Sequence, residues 1–357
     1  MLTIKEIPTS GYQRVIEAID PEANLHCFIA IHNNTLGPAL GGTRMYPYPT
    51  PNDALQDVLR LAKGMTYKSA LAEDGLGGGK SVIIGDPVTQ KRDRLLLAFG
   101  EVLNYLQGQY IAAEDVGTAP EDMIVIRRKS PYVVALPTER SSGDPSRFTA
   151  HGVFRGMQAV AKKLWNNPSL AGKTIAIQGL GHVGSKLADI LFWEGANLIF
   201  SDLDKYLLHH LSHLYGAKTV SPEAFFKTPC DILSPCAMGN SINSTTLPQL
   251  QCKAIAGSAN NQLENPSLGA QLTQKNILYA PDCIINSGGI INAAIELDPT
   301  GYNPIIAREK VNRIYDRLLS LFEKAEHENK PTSQAADEMA EYNLKHLIGK
   351  RMTPLNF

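Results

Sequence analysis

Apolar residues in the first 140 positions alternate between helical and strand-like patterns. Leu55, Val58, Leu59, Ala62 and Met65 recur at helical spacing. Ahead of them stands Thr50-Pro51-Asn52-Asp53: an N-cap hydroxyl, a proline at the first helical position and an acid at the third. The glycines 77–79 precede a continuous apolar run, Ser81-Val82-Ile83-Ile84, which stops at Gly85-Asp86-Pro87 and predicts a strand. A helix is expected from about Asp93 to Leu106, a strand near Tyr110–Ala113, a short helix near Glu121–Arg128 and a strand over Tyr132–Leu136.

The stretch 137–148, PTERSSGDPSRF, is polar and rich in turn formers, which marks a domain boundary. Val153, Phe154, Met157, Val160, Ala161 and Leu164 then form the apolar face of a helix expected to connect the domains and close one side of a cleft. Strand candidates Lys173–Gln178, Ala196–Ser201, Asp231–Ser234, Ala254–Gly257 and Ile277–Ala280 alternate with helical runs, as in a parallel sheet covered on both faces. Two helical runs, about Asn303–Glu326 and Ser333–Ile348, follow. The expectation is an α/β protein of two domains, 1–140 and 145–330. Whether a closing helix within about 331–357 returns to the first domain is left open by the pattern.

Composition agrees with two folded domains. The chain has 357 residues, 43% hydrophobic and 19% charged, enough apolar content for two cores. Disorder, collagen and coiled coil are excluded. A formal net charge of −1 argues against nucleic acid or an anionic membrane as partner, since either needs a basic excess. No run approaches the ~18 apolar residues of a membrane span, and MLTIKEIPTSGYQRV lacks the pattern of a secretory signal. Five cysteines, odd in number and without a CxxC pair, point to reduced thiols and a cytoplasmic protein. His209 and His213 lie four apart with His210 between them, but no Cys or carboxylate completes a ligand set, so no metal site is expected.

Gly179-Leu180-Gly181-His182-Val183-Gly184 follows the strand-like KTIAIQ and opens an apolar helical run. The first glycine permits a tight turn, the second lets backbone approach a pyrophosphate, and the third allows close helix packing. The helix N-terminus offers free N–H groups to the phosphates. Asp202 closes the next strand, ANLIFSD, where a carboxylate accepts from ribose hydroxyls; no Arg follows to hold a 2′-phosphate. NAD is therefore expected rather than NADP. In the first domain, Lys80 stands between three glycines and an apolar strand, with no packing reason for a long cation. A lysine in a partly apolar cleft near another cation suits a base working near neutral pH. Lys68, at the expected end of its helix, has surface solvation as its plainer reading. Asp115 fits equally an acid at a site or a cap before Thr118-Ala119-Pro120-Glu121.

Several motifs occur together in order: GPALGGTRM (37–45), LAKGMTYK (61–68), GGGKSVIIGDP (77–87), AEDVGT (113–118), QGLGHVG, GSANNQL (257–263) and APDCIINSGGIIN (280–292). With them the chain resembles the Glu/Leu/Phe/Val amino-acid dehydrogenases, most closely the leucine dehydrogenases. The resemblance implies a substrate-binding, oligomerising first domain and a Rossmann NAD domain, with reversible oxidative deamination of an L-amino acid between them. It also implies a homo-oligomer, octamer or dimer. By the same resemblance Lys80 is the catalytic lysine that activates water, Asp115 the acid that shuttles the amine proton, and Lys68 the cation on the substrate carboxylate. Gly42, Met65 and Asn261 line the carboxylate site; Thr149, Ala237, Asn260 and Asn286 lie near the cofactor. Leu40, Ala113, Ile290 and Ala293 line a side-chain pocket that is wholly apolar, which disfavours glutamate. Branched aliphatic substrates, leucine first, are expected. The alternatives are an aromatic amino acid admitted by Ala293, a non-catalytic NAD sensor, and a 2-hydroxy-acid dehydrogenase, which lacks its His–carboxylate pair and Arg clamp here. Gly79 and Ile295 depart from the family's usual Ala and Asp.

Overall fold

Thr50 starts the first helix as its neighbours require: its Oγ1 accepts from the Asp53 N–H at 3.2 Å, with Pro51 at the first helical position. The computed structural model describes residues 1–136 and 141–357. It divides into two units, Met1–Asp144 with Asn292–Pro304 and Ala340–Phe357, and Pro145–Ile291 with Ile305–Met339. The boundary expected over 137–148 lies partly outside the described residues.

In the first unit the elements run β1 (Thr3–Glu6), β2 (Arg14–Asp20), β3 (Leu25–Asn33), β4 (Ala39–Tyr46), α1 (Pro51–Ala72), β5 (Gly77–Ile84), α2 (Asp93–Tyr105), β6 (Tyr110–Glu114) and α3 (Pro120–Arg127). The sheet order is β1-β2-β3-β5-β4-β6. The pairs from β1 to β5 are antiparallel, whereas β4 is parallel to both β5 and β6. Residues in register share a face. Ala30 pairs with Lys80, Leu40 with Gly78 and Gly42 with Ala113, which gathers these residues on the face that α1 covers. There Val15, Phe28, Ala30 and Val82 pack against Ala54, Val58 and Ala62 of α1. The opposite face packs Ile29, Ile83, Tyr110 and Ala112 against Leu95, Phe99 and Val102 of α2.

Several expectations need correction. Glycines 77–79 are not a lead-in but the first three residues of β5. A Cβ at Gly78 would lie 2.0 Å from Thr66 N, so α1 rests directly on the strand backbone. Lys68 is short of its helix end, because α1 continues to Ala72. Residues 132–136 form no strand, only the single bridge Ala112↔Val133; Ala135, at φ 60°, turns the backbone out of extended geometry.

The second unit contains α4 (Ser146–Trp165), β7 (Thr174–Gln178), α5 (His182–Trp193), β8 (Asn197–Ser201), α6 (Lys205–Tyr215), β9 (Lys218–Thr219), α7 (Pro222–Phe225), β10 (Cys230–Pro235), β11 (Cys252–Ile255), α8 (Ser267–Gln274), β12 (Leu278–Tyr279) and α9 (Asp282–Ile285). Its sheet, β12-β11-β10-β7-β8-β9, is parallel throughout. The chain continues through α10 (Gly288–Glu296), α11 (Pro304–Asn312), α12 (Ile314–His327) and α13 (Thr332–Lys345). One long helix over 303–326 is not formed: the Arg313 N–H bonds to Lys310 O, three residues back, and tightens the turn between α11 and α12.

Residues 292–304, expected in the Rossmann domain, belong to the first unit. The Glu296 carboxylate accepts from the Ala135 N–H (3.0 Å), the Ser142 N–H (3.0 Å) and Ser142 Oγ (2.8 Å), and Asn292 donates to Ser142 O at 3.1 Å. Residues from Ala340 onward join the same unit: Tyr67 donates to Glu341 at 2.8 Å and Asn343 to Ala70 O at 3.0 Å. Thr332, by contrast, donates to Tyr279 O of the second unit at 2.7 Å. Gly78→Ala is expected to cost at least about 2 kcal/mol in urea denaturation, because the helix must move off the strand. Gly64→Ala, where a Cβ on the same helix meets nothing within 4 Å, is expected to gain up to about 1 kcal/mol.

Candidate active site

Lys80 is 6% exposed, and its Nζ stands 2.6 Å from Asp115 Oδ2. A buried ammonium needs such a partner. The sequence led us to expect a second cation beside Lys80. The structure puts a carboxylate there, and the second cation, Arg44, reaches the same oxygen through Nε at 3.2 Å. Gly42 leaves the space for this pair: a Cβ on it would lie 2.8 Å from Asp115 Cβ and 3.1 Å from Lys80 Nζ.

Asp115 sits just past the end of β6, in a turn tied by Thr118. Thr118 Oγ1 accepts from the Asp115 N–H at 3.0 Å and donates to Thr43 O at 2.8 Å. Capping of α3 falls to Asp122, whose carboxylate accepts from the Ala119 N–H at 2.8 Å. The Asp115 carboxylate is thus spent on Lys80 and Arg44, and its reading as a cap is withdrawn. Burial pushes its carboxyl up, but the Lys80 and Arg44 cations outweigh burial and hold it below the ordinary carboxylate range. Next to it, burial and then Asp144, Glu121, Asp115 and Asp122 push Glu114 up to about 7.

Leu40 is buried on the Lys80 face and Ala113 is half-buried there; Met65 and Lys68 are half-buried on α1. Gly79 looks to the opposite face, where a Cβ would lie 2.8 Å from the Tyr110 ring. An alanine at 79 therefore requires that ring to shift. Ile295, on α10, is 1% exposed, so a carboxylate has no water to meet there. Ala293 belongs to the first unit and Ile290 to the second. The residue that sequence reasoning missed is Arg44. Its only signal was a guanidinium within the otherwise uncharged run ALGGTRMY.

In the second unit, Gly179 adopts φ +88°, and a Cβ on it would lie 2.8 Å from Ala237 Cβ. A Cβ at Gly184 would lie 1.9 Å from Gly179 O, so α5 packs tightly against the turn. A Cβ at Gly181 would meet nothing within 4 Å: this is the open side. His182 begins α5 and is exposed, Val183 is half-buried, and Leu180 is buried. Leu180 donates its N–H to Asp202 Oδ2 at 2.6 Å, and Asp202 Oδ1 accepts from the Asp204 N–H at 2.8 Å. A carboxylate has about four acceptor sites, so Asp202 keeps capacity for hydroxyl donors.

Asn286 donates to Ser258 O (3.0 Å) and to Asn260 Oδ1 (2.9 Å), while its own buried Oδ1 has no partner among the described residues. Thr149, on the first turn of α4, donates to Pro145 O at 3.1 Å and stands 2.8 Å from where a Cβ of Gly289 would lie. Asn261 takes φ 50°, with its N–H on Asp282 Oδ2 at 2.9 Å. It lies in the second unit, whereas Lys68, Met65 and Gly42 lie in the first. An open glycine, free N–H groups at a helix start, a strand-end carboxylate and an orphaned amide acceptor fit a dinucleotide. Among the described residues, no cluster of three or more His, Cys, Asp or Glu is placed to hold a metal ion, and His209, His210 and His213 are exposed. Among the described residues, no helix is long and apolar enough to cross a membrane.

Comparison with known proteins matches residues 13–132 to the Glu/Leu/Phe/Val dehydrogenase dimerisation domain and residues 200–345 to the Glutamate/Leucine/Phenylalanine/Valine dehydrogenase domain. The chain is 47% identical to leucine dehydrogenase of Geobacillus stearothermophilus, covering 97% of this chain and 94% of that one. It is 43% identical to phenylalanine dehydrogenase of Thermoactinomyces intermedius, covering 96% and 93%. The crystal structure of L-tryptophan dehydrogenase from Nostoc punctiforme superposes with a TM-score of 0.82 at 40% identity, covering 94% and 97%.

Glu114 carries a pH prediction. A carboxyl raised in the folded state contributes stability below its ordinary range and loses that contribution as pH rises through about 7. In urea denaturation, wild type should lose stability over this window relative to Glu114→Gln. Below the window the difference between them should be constant with pH.

Proposed function

This chain belongs to the Glu/Leu/Phe/Val dehydrogenases and is an amino-acid dehydrogenase acting on CH–NH2, and on that premise we propose that it deaminates branched aliphatic L-amino acids, leucine first, with NAD. The observation that carries this reading is the buried Lys80–Asp115 pair on a sheet face shared with Leu40 and Ala113. Those two side chains give a substrate carboxylate nothing to pair with, so a glutamate side chain pays for its burial. Lys68 offers the cation for the α-carboxylate, with Gly42, Met65 and Asn261 completing that end. The glycine turn, Asp202, Thr149, Ala237, Asn260 and Asn286 hold the dinucleotide, with the orphaned Asn286 Oδ1 free to accept from an amide.

The chemistry divides among the side chains as follows. The substrate's ammonium group loses a proton, which Asp115 accepts and passes on, leaving a neutral amine. Bound NAD supplies the acceptor for the Cα hydrogen, which departs with its electron pair. An iminium remains on the substrate. Lys80, in its uncharged form, takes a proton from water as the water oxygen bonds to that carbon. Asp115 relays the proton now on Lys80 to the departing nitrogen; ammonia leaves, and loss of the hydroxyl proton to water completes the 2-oxo acid. Lys68 holds the carboxylate throughout and orients Cα–H. A homo-oligomer and a cytoplasmic location are part of the same proposal.

NADH formation across a panel of amino acids tests the reading. Leucine, valine and isoleucine should react within the ~1–3 kcal/mol that separates one methylene from the next, and glutamate should be at least about 100-fold poorer in kcat/KM. Phenylalanine or tryptophan exceeding leucine would replace the substrate with an aromatic one. Lys80→Arg, which keeps the charge but cannot lose its proton, should lower kcat about 10³-fold. Asp115→Asn should do likewise; near-normal turnover in either variant removes its role.

A further inference from the structure

One carboxylate oxygen, Asp115 Oδ2, carries two cationic partners, Lys80 Nζ at 2.6 Å and Arg44 Nε at 3.2 Å. Arg44 is held from its other side, since its Nη1 donates to Asp57 Oδ2 at 2.9 Å. Asp57 is itself fixed on α1 by Tyr48 Oη at 2.6 Å and Arg60 Nη2 at 2.8 Å. Arg44 pairs in register with Val82 and stands two residues beyond Gly42, so it shares the sheet face of Lys80. Lys80 and Arg44 both form ion pairs with Asp115, and both do so on Oδ2.

We propose that Arg44 is a positioning residue that fixes the Asp115 carboxylate and eases the departure of the proton from Lys80. Of the two cations on the oxygen, only lysine can become neutral; a guanidinium remains charged. Arg44 draws on the oxygen's charge and opposes a second positive group beside it, so the carboxylate grips the ammonium less firmly. Asp57 tempers Arg44 from behind. The inference rests on Lys80 acting as the base.

Other titratable groups surround this cluster. Tyr110 and Glu114 come from β6, Glu121 and Asp122 from α3, and Asp57, Arg60 and Lys68 from α1; Tyr48 follows β4. Asp122 is already paired with Lys91 at 2.6 Å. Glu114 and Tyr110 bear on the same strand end, but neither is cationic. Arg44 thus places a permanent positive charge in direct contact with the carboxylate of this pair.

The test reads Lys80 itself. Trace acetylation with acetic anhydride, followed by mass spectrometry of the Lys80 peptide, gives the pH midpoint of its reactivity in the intact protein without substrate. Arg44→Gln should move that midpoint up by about one pH unit, and Arg44→Lys should restore most of it. Asp57→Asn, which leaves Arg44 less neutralised, should move it down. A midpoint unchanged in Arg44→Gln, or displaced upward in Asp57→Asn, overturns the inference. The acid limb of kcat/KM for leucine should follow the same order. Because labelling needs no turnover, a failed amino-acid panel and a failed role for Arg44 give separate results.

Discussion

Taking an ammonium out of water is expensive, and much of the first unit is arranged around doing so at Lys80. The carboxylate of Asp115 has to arrive from another strand, which sets where β6 ends and why Thr118 ties the turn behind it. The pair needs room, so position 42 carries no side chain. The strand that bears the lysine lies directly under α1, so position 78 carries no side chain. Arg44 and Asp57 extend the charge alternation from strand to helix, so that no cation in the row lacks an anion beside it.

The two units meet their demands with different parts of the chain. The first uses side-chain charge held in a packed sheet, where the cost of an unpaired group keeps the arrangement specific. The second uses backbone: N–H groups at the start of α5, a glycine in left-handed conformation, and a strand-end carboxylate that also holds the turn through the Leu180 N–H. Asp202 therefore has a structural duty besides the ribose contact proposed for it. Its neutral isostere is a cleaner probe than truncation, since alanine would also release the turn.

Much of this was visible before any coordinates, and the gaps have physical causes. The strand–turn–helix of the second unit was legible because each of its signals is local: glycines at fixed offsets, an apolar strand before them and an acid at the next strand end. Lys80 and Asp115 were assigned through family motifs; residue by residue, Asp115 was indistinguishable from a cap, because a carboxylate before a helix looks the same in both roles. Glycines 77–79 were misread because glycine weakens an isolated strand, and their neighbours are distant in sequence: Asn33 and Asn34 against Gly77, Thr66 against Gly78 and Tyr110 against Gly79. Arg44 was invisible because its partners lie 13 and 71 residues away. Position 135 broke an apolar run that pattern alone reads as a strand.

The first unit is assembled from three separated stretches of chain, with Asn292–Pro304 and Ala340–Phe357 completing what Met1–Asp144 begins. During synthesis, the helix that bears Lys68 waits for Glu341 and Asn343 to emerge before Tyr67 and Ala70 find their partners. The Rossmann sheet, built mainly from one continuous stretch, has no such delay. A chain cut before Ala340 would leave Tyr67 and Ala70 without these partners.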